Sequence, residues 1–319
     1  MAAKEHPAAA LPVTVLAAPM EGLTDHVWRN THCALFGGAA AYYTPFQRLT
    51  QTFRLTVREQ RDVDPANNRG VPVIPQALTR DGEQLLRYLE YVRALGYGEA
   101  DLNLGCPSPT VTKRGRGSAL LRDRDTLETL LKRAEKEGAL PLSVKTRIGY
   151  ESPDEWDGLL ALFSDHPLTR VTIHLRTTKE GYEGPIHPEA YEKALRALGD
   201  RAVYNGDLRT AEDLAAFVRR FGPGHTVMAG RGLFADPALA RRATGGPPAS
   251  AEEWRAFLIS LLDQWQALYG LTVALGRVKK LMVYPLSAPE QLSLFRPFRK
   301  ASCREDFDRA VEGFCERYV

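Results

Sequence analysis

Three short stretches of this 319-residue chain bring together residue types that act on ligands. Asn103-Leu104-Gly105-Cys106-Pro107 sets an amide and a thiol three residues apart in a glycine- and proline-containing turn. Lys145 and Arg147 place two cations on one short apolar run. Gly230-Arg231-Gly232 opens a helical pattern, and this combination suits a phosphate: glycines expose N–H groups, the helix N-terminus is positive, and the guanidinium adds a charged fork. Asn205-Gly206-Asp207 forms a second turn of the same kind, and Pro19-Met20-Glu21, Gln76 and His174 follow other apolar runs. Each has an ordinary reading when taken singly. Lys145 serves equally as an ion-pair partner, His174 as a core histidine, Gln76 as a loop cap and Cys106 as packing.

The elements that must position these residues recur along the chain. Short β-branched or apolar runs occur at 13–17, 40–44, 71–77, 99–103, 140–146, 170–174, 202–205 and 225–229. Amphipathic patterns separate them, as at 82–95, 126–137 and 211–220. Eight β–α units predict an α/β fold, a (β/α)8 TIM barrel, over an open doubly wound sheet, because no G-x-G-x-x-G follows the first run. In such a barrel the residues just past each strand face the ligand, and seven of the eight ends here carry a polar donor or a glycine. Lys145, Gln76 and His174 around a phosphate corner at the last two strands suit a flavin ring. The pattern changes at Gly245-Gly246-Pro247-Pro248, after which helices are predicted at 251–270, 272–284 and 305–318. The expected domains are a barrel over 1–243, a linker at 244–249 and a helical bundle over 250–319.

Composition is that of a globular chain, 44% hydrophobic and 25% charged, which excludes a disordered one. A net charge of +3 conceals two basic windows. Lys113, Arg114, Arg116, Arg122 and Arg124 stand against one acid between 110 and 124. Arg277, Lys279, Lys280, Arg296, Arg299, Lys300 and Arg304 stand against one between 275 and 304. Such windows on an otherwise acidic protein favour a polyanionic partner. Four scattered cysteines without a C-x-x-C pair fit a reducing cytoplasm. The apolar stretch 7–20 is broken by Pro7, Pro12 and Pro19, so neither a signal peptide nor a membrane span is expected.

The runs APMEGLTD (18–25), DLNLGCPSPTVTKRGRGSALL (101–121), SVKTRIG (143–149), IHLRT (173–177), NGDL (205–208) and MAGRGLFADP (228–237) resemble the tRNA-dihydrouridine synthases. GRVKKLMVY and SLFRPFRKASCREDFDRAV resemble that family's helical domain. The resemblance implies non-covalent FMN, reduced by NADPH, and hydride transfer to C6 of a uracil in tRNA. It gives Cys106 as the donor of the proton to C5, a role open to a thiol that is protonated at neutral pH. It also places Asn103 on the uracil edge, Arg147 near the substrate and Lys145 beside the reduced flavin. Pro19, Met20, Glu21, Gln76 and His174 match flavin contacts, and Asn205, Gly206, Asp207, Gly230 and Arg231 match phosphate and ribityl contacts. Lys113, Arg114, Arg116, Arg277, Lys279, Lys280, Arg296, Arg299 and Lys300 are expected to hold tRNA. A cytoplasmic monomer without metal is expected. Arg116 and Leu175 depart from the family pattern, where small residues are usual. The PMEG start and the arginine-rich stretch 295–304 look closest to the bacterial subgroup acting on D-loop position 16.

Other readings share parts of this pattern. An FMN barrel acting on a small molecule, such as dihydroorotate or an enone, uses the same lysine and phosphate corner but has no use for a basic tail. An RNA-binding protein on an idle barrel predicts loss of Cys106 or Lys145, and both are present. A Schiff-base aldolase built on Lys145 leaves Cys106 and Gln76 unexplained.

Overall fold

The computed structural model describes residues 11–318. Residues 7–10 of the apolar N-terminal stretch lie outside the described residues. Up to residue 229 strands and helices largely alternate, as the α/β expectation requires. The strands are β1 (Thr14–Ala17), β2 (Ala39–Tyr43), β3 (Gln47–Arg48), β4 (Val73–Ile74), β5 (Gln76–Leu78), β6 (Ala100–Leu104), β7 (Leu142–Arg147), β8 (Val171–His174), β9 (Ala202–Asn205) and β10 (Thr226–Ala229). The described residues form two compact units, one of residues 11–40, 207–224 and 229–318, the other of residues 41–206 and 225–228.

In the second unit seven strands follow one another in the order β3-β5-β6-β7-β8-β9-β10. Every described pairing there is parallel, with helices such as Gly82–Ala94 and Arg124–Glu137 in the connections. The run expected at 71–77 is two strands, because Pro75 has no N–H to continue a ladder. Val73 and Ile74 pair with β2. Beyond the proline, Gln76 and Ala77 pair with β6, and Ala77 and Leu78 with β3. The backbone N–H of Gln76 finds the Thr44 hydroxyl at 2.9 Å instead of a strand partner. β6 is buried along its whole length even though it carries Asp101 and Asn103. Polar groups held inside a sheet this way must find partners or face a ligand.

In the first unit the helix His26–Leu35 packs against the long helix Ala251–Tyr269. Trp28, His32 and Phe36 supply the aromatic face of the shorter helix. Phe234 meets Trp28, and Phe257 meets His32 and Phe36. Burial drives the His32 pKa down to about 3, so its ring is neutral and packs as an aromatic. The long helix begins at Ser250, which forms a capping box with Glu253. Arg241 binds Glu253 and also the carbonyls of Pro247 and Pro248, so a guanidinium clamps the expected linker. Further helices follow at Leu271–Met282, Leu292–Lys300 and Arg304–Cys315. The third of these four was not expected, because Pro297 inside it reads as a break. Among the described residues no helix is long and apolar enough to cross a membrane.

Candidate active site

Strand register gathers the expected residues of the second unit. Parallel neighbours in register share a face. Arg147 stands beside His174, His174 beside Asn205, and Asn205 beside Met228. Two residues back along the strands, Asn103 stands beside Lys145 and Lys145 beside Thr172. Two further back, Gln76, Asp101 and Ser143 form another row. Residues 23 to 42 apart in sequence thus become neighbours in three stepped rows on one face.

The two cations of these rows, Arg147 buried and Lys145 half-buried, are bound only to neutral oxygens in the described hydrogen bonds. Lys145 Nζ donates to Asn205 Oδ1 at 2.8 Å, and Asn205 is held by donating its own Nδ2 to the Met228 carbonyl at 2.8 Å. Arg147 donates Nε to the Gly105 carbonyl at 2.9 Å and Nη1 to the carbonyls of Thr177 and Gly181 at 2.7 and 2.8 Å. Burial, reinforced by the nearby Arg147, lowers the Lys145 pKa to about 8, which still leaves the amine charged at neutral pH. Burial likewise lowers the Arg147 pKa from its usual range. Positive charge withdrawn from solvent with no carboxylate hydrogen-bonded to it suits an anionic ligand.

Cys106 begins the turn after β6. Asn103 Oδ1 accepts from the N–H of Gly105 at 3.2 Å and of Cys106 at 2.9 Å, and the Cys106 carbonyl accepts from Ser118 N and Oγ at 3.2 and 3.0 Å. Gly117 closes the turn with φ of +58°, and a Cβ there would meet the Cys106 carbonyl at 2.9 Å and Val111 at 2.8 Å. The half-buried thiol-bearing residue packs against Phe46, Leu78 and Val111. Asn103 Nδ2 donates to Gln76 Oε1 at 2.8 Å, which leaves one N–H of this amide for a ligand. Gln76 is fully buried, its Nε2 donating to Asp101 at 2.7 Å, and it too has one N–H remaining.

The sequence reading missed Tyr182 and Asp101. Tyr182 is 53% exposed, lies under the Arg147 guanidinium at 5.3 Å and presents an edge-on contact to His174 at 6.1 Å. Its signal was an aromatic between two glycines in the segment after β8. Asp101 lies two residues before Asn103 on β6, hence on the same face, a spacing that could have pointed to it. Burial raises its pKa to about 7 against the pull of Gln76, Ser143 and Lys145. A carboxyl raised in this way makes the fold more stable when protonated, and that contribution is lost as pH rises from about 4 to about 7. Asp101→Asn is therefore expected to gain stability relative to wild type between pH 5 and pH 7.5 in urea denaturation. A constant difference across that range would contradict it.

The other expected ligand residues belong to the first unit. Thr24 Oγ1 accepts from the Met20 N–H at 2.8 Å, holding the backbone of the Pro19-Met20-Glu21 turn. Gly230 precedes a five-residue helix, Arg231–Ala235, and a Cβ there would stand 3.3 Å from both Ala18 Cβ and Met20 Sδ. Arg231 is ion-paired with Asp207, which adopts a left-handed φ of +48°. Asn205 and Gly206 belong to the second unit.

The basic windows separate into paired and unpaired cations. Among the described residues Lys113, Arg114, Arg116, Lys279, Lys280, Arg296, Arg299 and Lys300 have no ion-pair partner, and all but Arg116 and Lys279 are well exposed. Arg304 is paired with Asp263 and Asp308. Arg122 and Arg124 line an open cleft of about 460 Å³ with Asp123, Asp125, Glu151 and Glu155, which offset their charge. Arg277 is 11% exposed, pairs with the buried Asp25 and lies over the Trp265 ring at 4.5 Å. Its guanidinium anchors the helix Leu271–Met282.

A parallel βα chain with two cations and a thiol turn at its strand ends defines an enzyme of the (β/α)8 class. The profile described as "Dihydrouridine synthase (Dus)" matches residues 15–270, and the chain belongs to that family. It is 27% identical over 309 residues to "tRNA-dihydrouridine(16) synthase" of Aquipseudomonas alcaligenes, covering 92% of this chain and 97% of the relative. The protein of that name from Neisseria meningitidis serogroup B is 31% identical over 245 residues, 73% of each chain. "Probable tRNA-dihydrouridine synthase" of Staphylococcus aureus is 31% identical, over 69% of this chain and 68% of its own. Among solved structures, "Structure of morphinone reductase in complex with tetrahydroNAD" matches with a TM-score of 0.51 at 12% identity, covering 75% of this chain and 88% of the other, a likeness of fold.

Proposed function

We propose that the protein reduces the C5=C6 bond of a uridine in the tRNA D-loop. The observation that carries this reading is the pair of cations, half-buried Lys145 and buried Arg147, bound to neutral oxygens beside the Cys106 turn. Those residues fit a flavin: Lys145 offers a charge to an anionic ring edge, and Gln76 retains one N–H for a ring acceptor. FMN, bound there and re-reduced by NADPH, supplies the hydride for C6. His174 and the backbone of Pro19, Met20 and Glu21 are assigned to the ring. Asn205, Gly206, Asp207, Gly230 and Arg231 are assigned to the ribityl chain and phosphate.

The chain's own residues handle the uracil. The remaining N–H of Asn103 binds a uracil carbonyl. Arg147 and Tyr182, whose ring lies under the guanidinium, are assigned to the same base. Cys106 Sγ delivers its proton to C5 and is reprotonated from solvent. A base inside folded RNA must first be taken out of its stack, and cations hold the backbone meanwhile. Lys113, Arg114 and Arg116, with Lys279, Lys280, Arg296, Arg299 and Lys300, are assigned to phosphates. On this reading residues 1–243 carry the cofactor, 244–249 link, and 250–319 bind tRNA, in a monomer working in the cytoplasm. D-loop position 16 is the proposed uridine, in line with the relatives' names.

Purified protein is expected to be yellow and to bleach with NADPH. Reoxidation should then accelerate with unmodified tRNA and not with uridine, orotate or an enone, and mass spectrometry of the product should find dihydrouridine at position 16. A colourless protein, or one reoxidised by the small molecules alone, would overturn the reading.

A further inference from the structure

We propose that Asp101 is a positioning residue that sets the amide orientations of Gln76 and Asn103 and through them holds the turn of Cys106. The inference rests on the function proposed for that turn. Its physical basis is one continuous chain of buried groups. Ser143 Oγ donates to Asp101 Oδ1 at 2.7 Å, Gln76 Nε2 donates to Asp101 Oδ2 at 2.7 Å, and Asn103 Nδ2 donates to Gln76 Oε1 at 2.8 Å. At the far end Asn103 Oδ1 accepts from the backbone N–H of Cys106 at 2.9 Å and of Gly105 at 3.2 Å.

The polarity of this chain has one consistent solution. An amide presents a donor on one side and an acceptor on the other. Asp101 Oδ2 accepts from Gln76 whether the carboxyl is ionised or carries its proton on Oδ1 toward Ser143, which turns the Gln76 NH₂ toward Asp101 and its carbonyl toward Asn103. Asn103 must then meet Gln76 with its NH₂, which leaves its oxygen for the two backbone donors. Reversing the amides would set the Asn103 NH₂ against the N–H of Cys106, donor against donor, inside a buried site. Gln76 and Asp101 are fully buried and Asn103 is 6% exposed, so water is a poor substitute for a missing link. What Gln76 requires from position 101 is an acceptor oxygen. Asparagine can supply it, turning its own NH₂ to the Ser143 hydroxyl, which can accept as well as donate. Leucine, of similar size, cannot.

The same chain explains why an ionisable residue occupies β6 at a position the mechanism does not use. Asp101 stands one row behind Asn103 and Lys145 and touches neither the thiol nor Lys145 in the described hydrogen bonds. Its effect reaches Cys106 through two amides.

The test reads Cys106 directly, by iodoacetamide alkylation with peptide mapping on the full-length protein, alongside thermal melting. Asp101→Leu and Gln76→Leu are each expected to raise the Cys106 alkylation rate about tenfold, the change expected when one buried hydrogen bond no longer holds the turn. The double variant should be no faster than either single one, because both cut the same chain. Asp101→Asn should restore the wild-type alkylation rate. Wild-type rates in folded Asp101→Leu, multiplicative effects in the double variant, or an Asp101→Asn rate equal to that of Asp101→Leu would each overturn the proposal. Should Asp101→Leu fail to fold, Gln76→Leu and Asp101→Asn still decide it. Because alkylation needs neither flavin nor RNA, a protein inactive on tRNA but with this rate pattern would defeat the proposed function and leave the positioning role standing.

Discussion

Cys106→Ala is expected to keep its flavin and its melting temperature while turnover on tRNA falls about 10²- to 10⁴-fold, the contribution typical of a positioned general acid. The geometry separates the thiol from the turn that carries it. Cys106 is held through its backbone, by Asn103 on the N–H side and Ser118 on the carbonyl side. Gly117 fits against that carbonyl because it has no Cβ. Alanine preserves all of these bonds and removes only the sulfur and its proton from beside Phe46, Leu78 and Val111. Flavin reduction by NADPH should remain at the wild-type rate, and only the tRNA-dependent reoxidation should slow. If the variant instead loses flavin, the residue supports the cofactor and the proton comes from elsewhere. Full turnover with alanine would dismiss the acid role altogether.

Asp25→Ala is expected to lower the stability of the fold by about 3–5 kcal/mol, the range for breaking a buried ion pair by removing one partner. Asp25 is fully buried and serves three groups of its own unit at once. It caps the helix His26–Leu35 by accepting from Trp28 N at 3.1 Å. It also accepts from Trp265 Nε1 at 3.1 and 3.2 Å and from the Arg277 guanidinium. Removing it leaves a guanidinium, 11% exposed, with no carboxylate, while the indole N–H loses its acceptor. Asp25→Asn should cost less, because the amide oxygen still accepts from Trp28 or Trp265 and only the charge opposite Arg277 is lost. Urea denaturation at neutral pH measures both. A loss below about 1 kcal/mol for alanine would mean that solvent replaces these contacts, contrary to their burial.

The strand and helix order was legible from the sequence because parallel strands buried on both faces and amphipathic crossover helices leave strong local patterns. So were the turn residues at the strand ends, since glycine, proline and an isolated Lys, Cys or His interrupt apolar runs. What escaped was local chemistry with a nonlocal cause. Pro75 divides one apolar run into two strands because its missing N–H coincides with a change of neighbour, and neighbours are not written in the run itself. Pro297 sits inside a helix although the same residue type elsewhere ends one.

Charge shows the same division. From sequence, Arg277 and Lys280 are equivalent members of one basic window. In the folded chain Arg277 turns inward onto Asp25, 252 residues away, and Lys280 faces solvent. Asp101 has no partner visible in the sequence, and only the register that sets it beside Gln76 and Ser143 reveals a polar chain leading to Cys106. By itself the sequence determined the class of elements, the family motifs and the residue types available for chemistry, because these follow from local pattern and identity. The tertiary structure alone decided which cations are neutralised, which amides face which way and which side chains share a row. Those depend on partners brought together by sheet register and burial, where an unpaired polar group is too costly to leave to solvent.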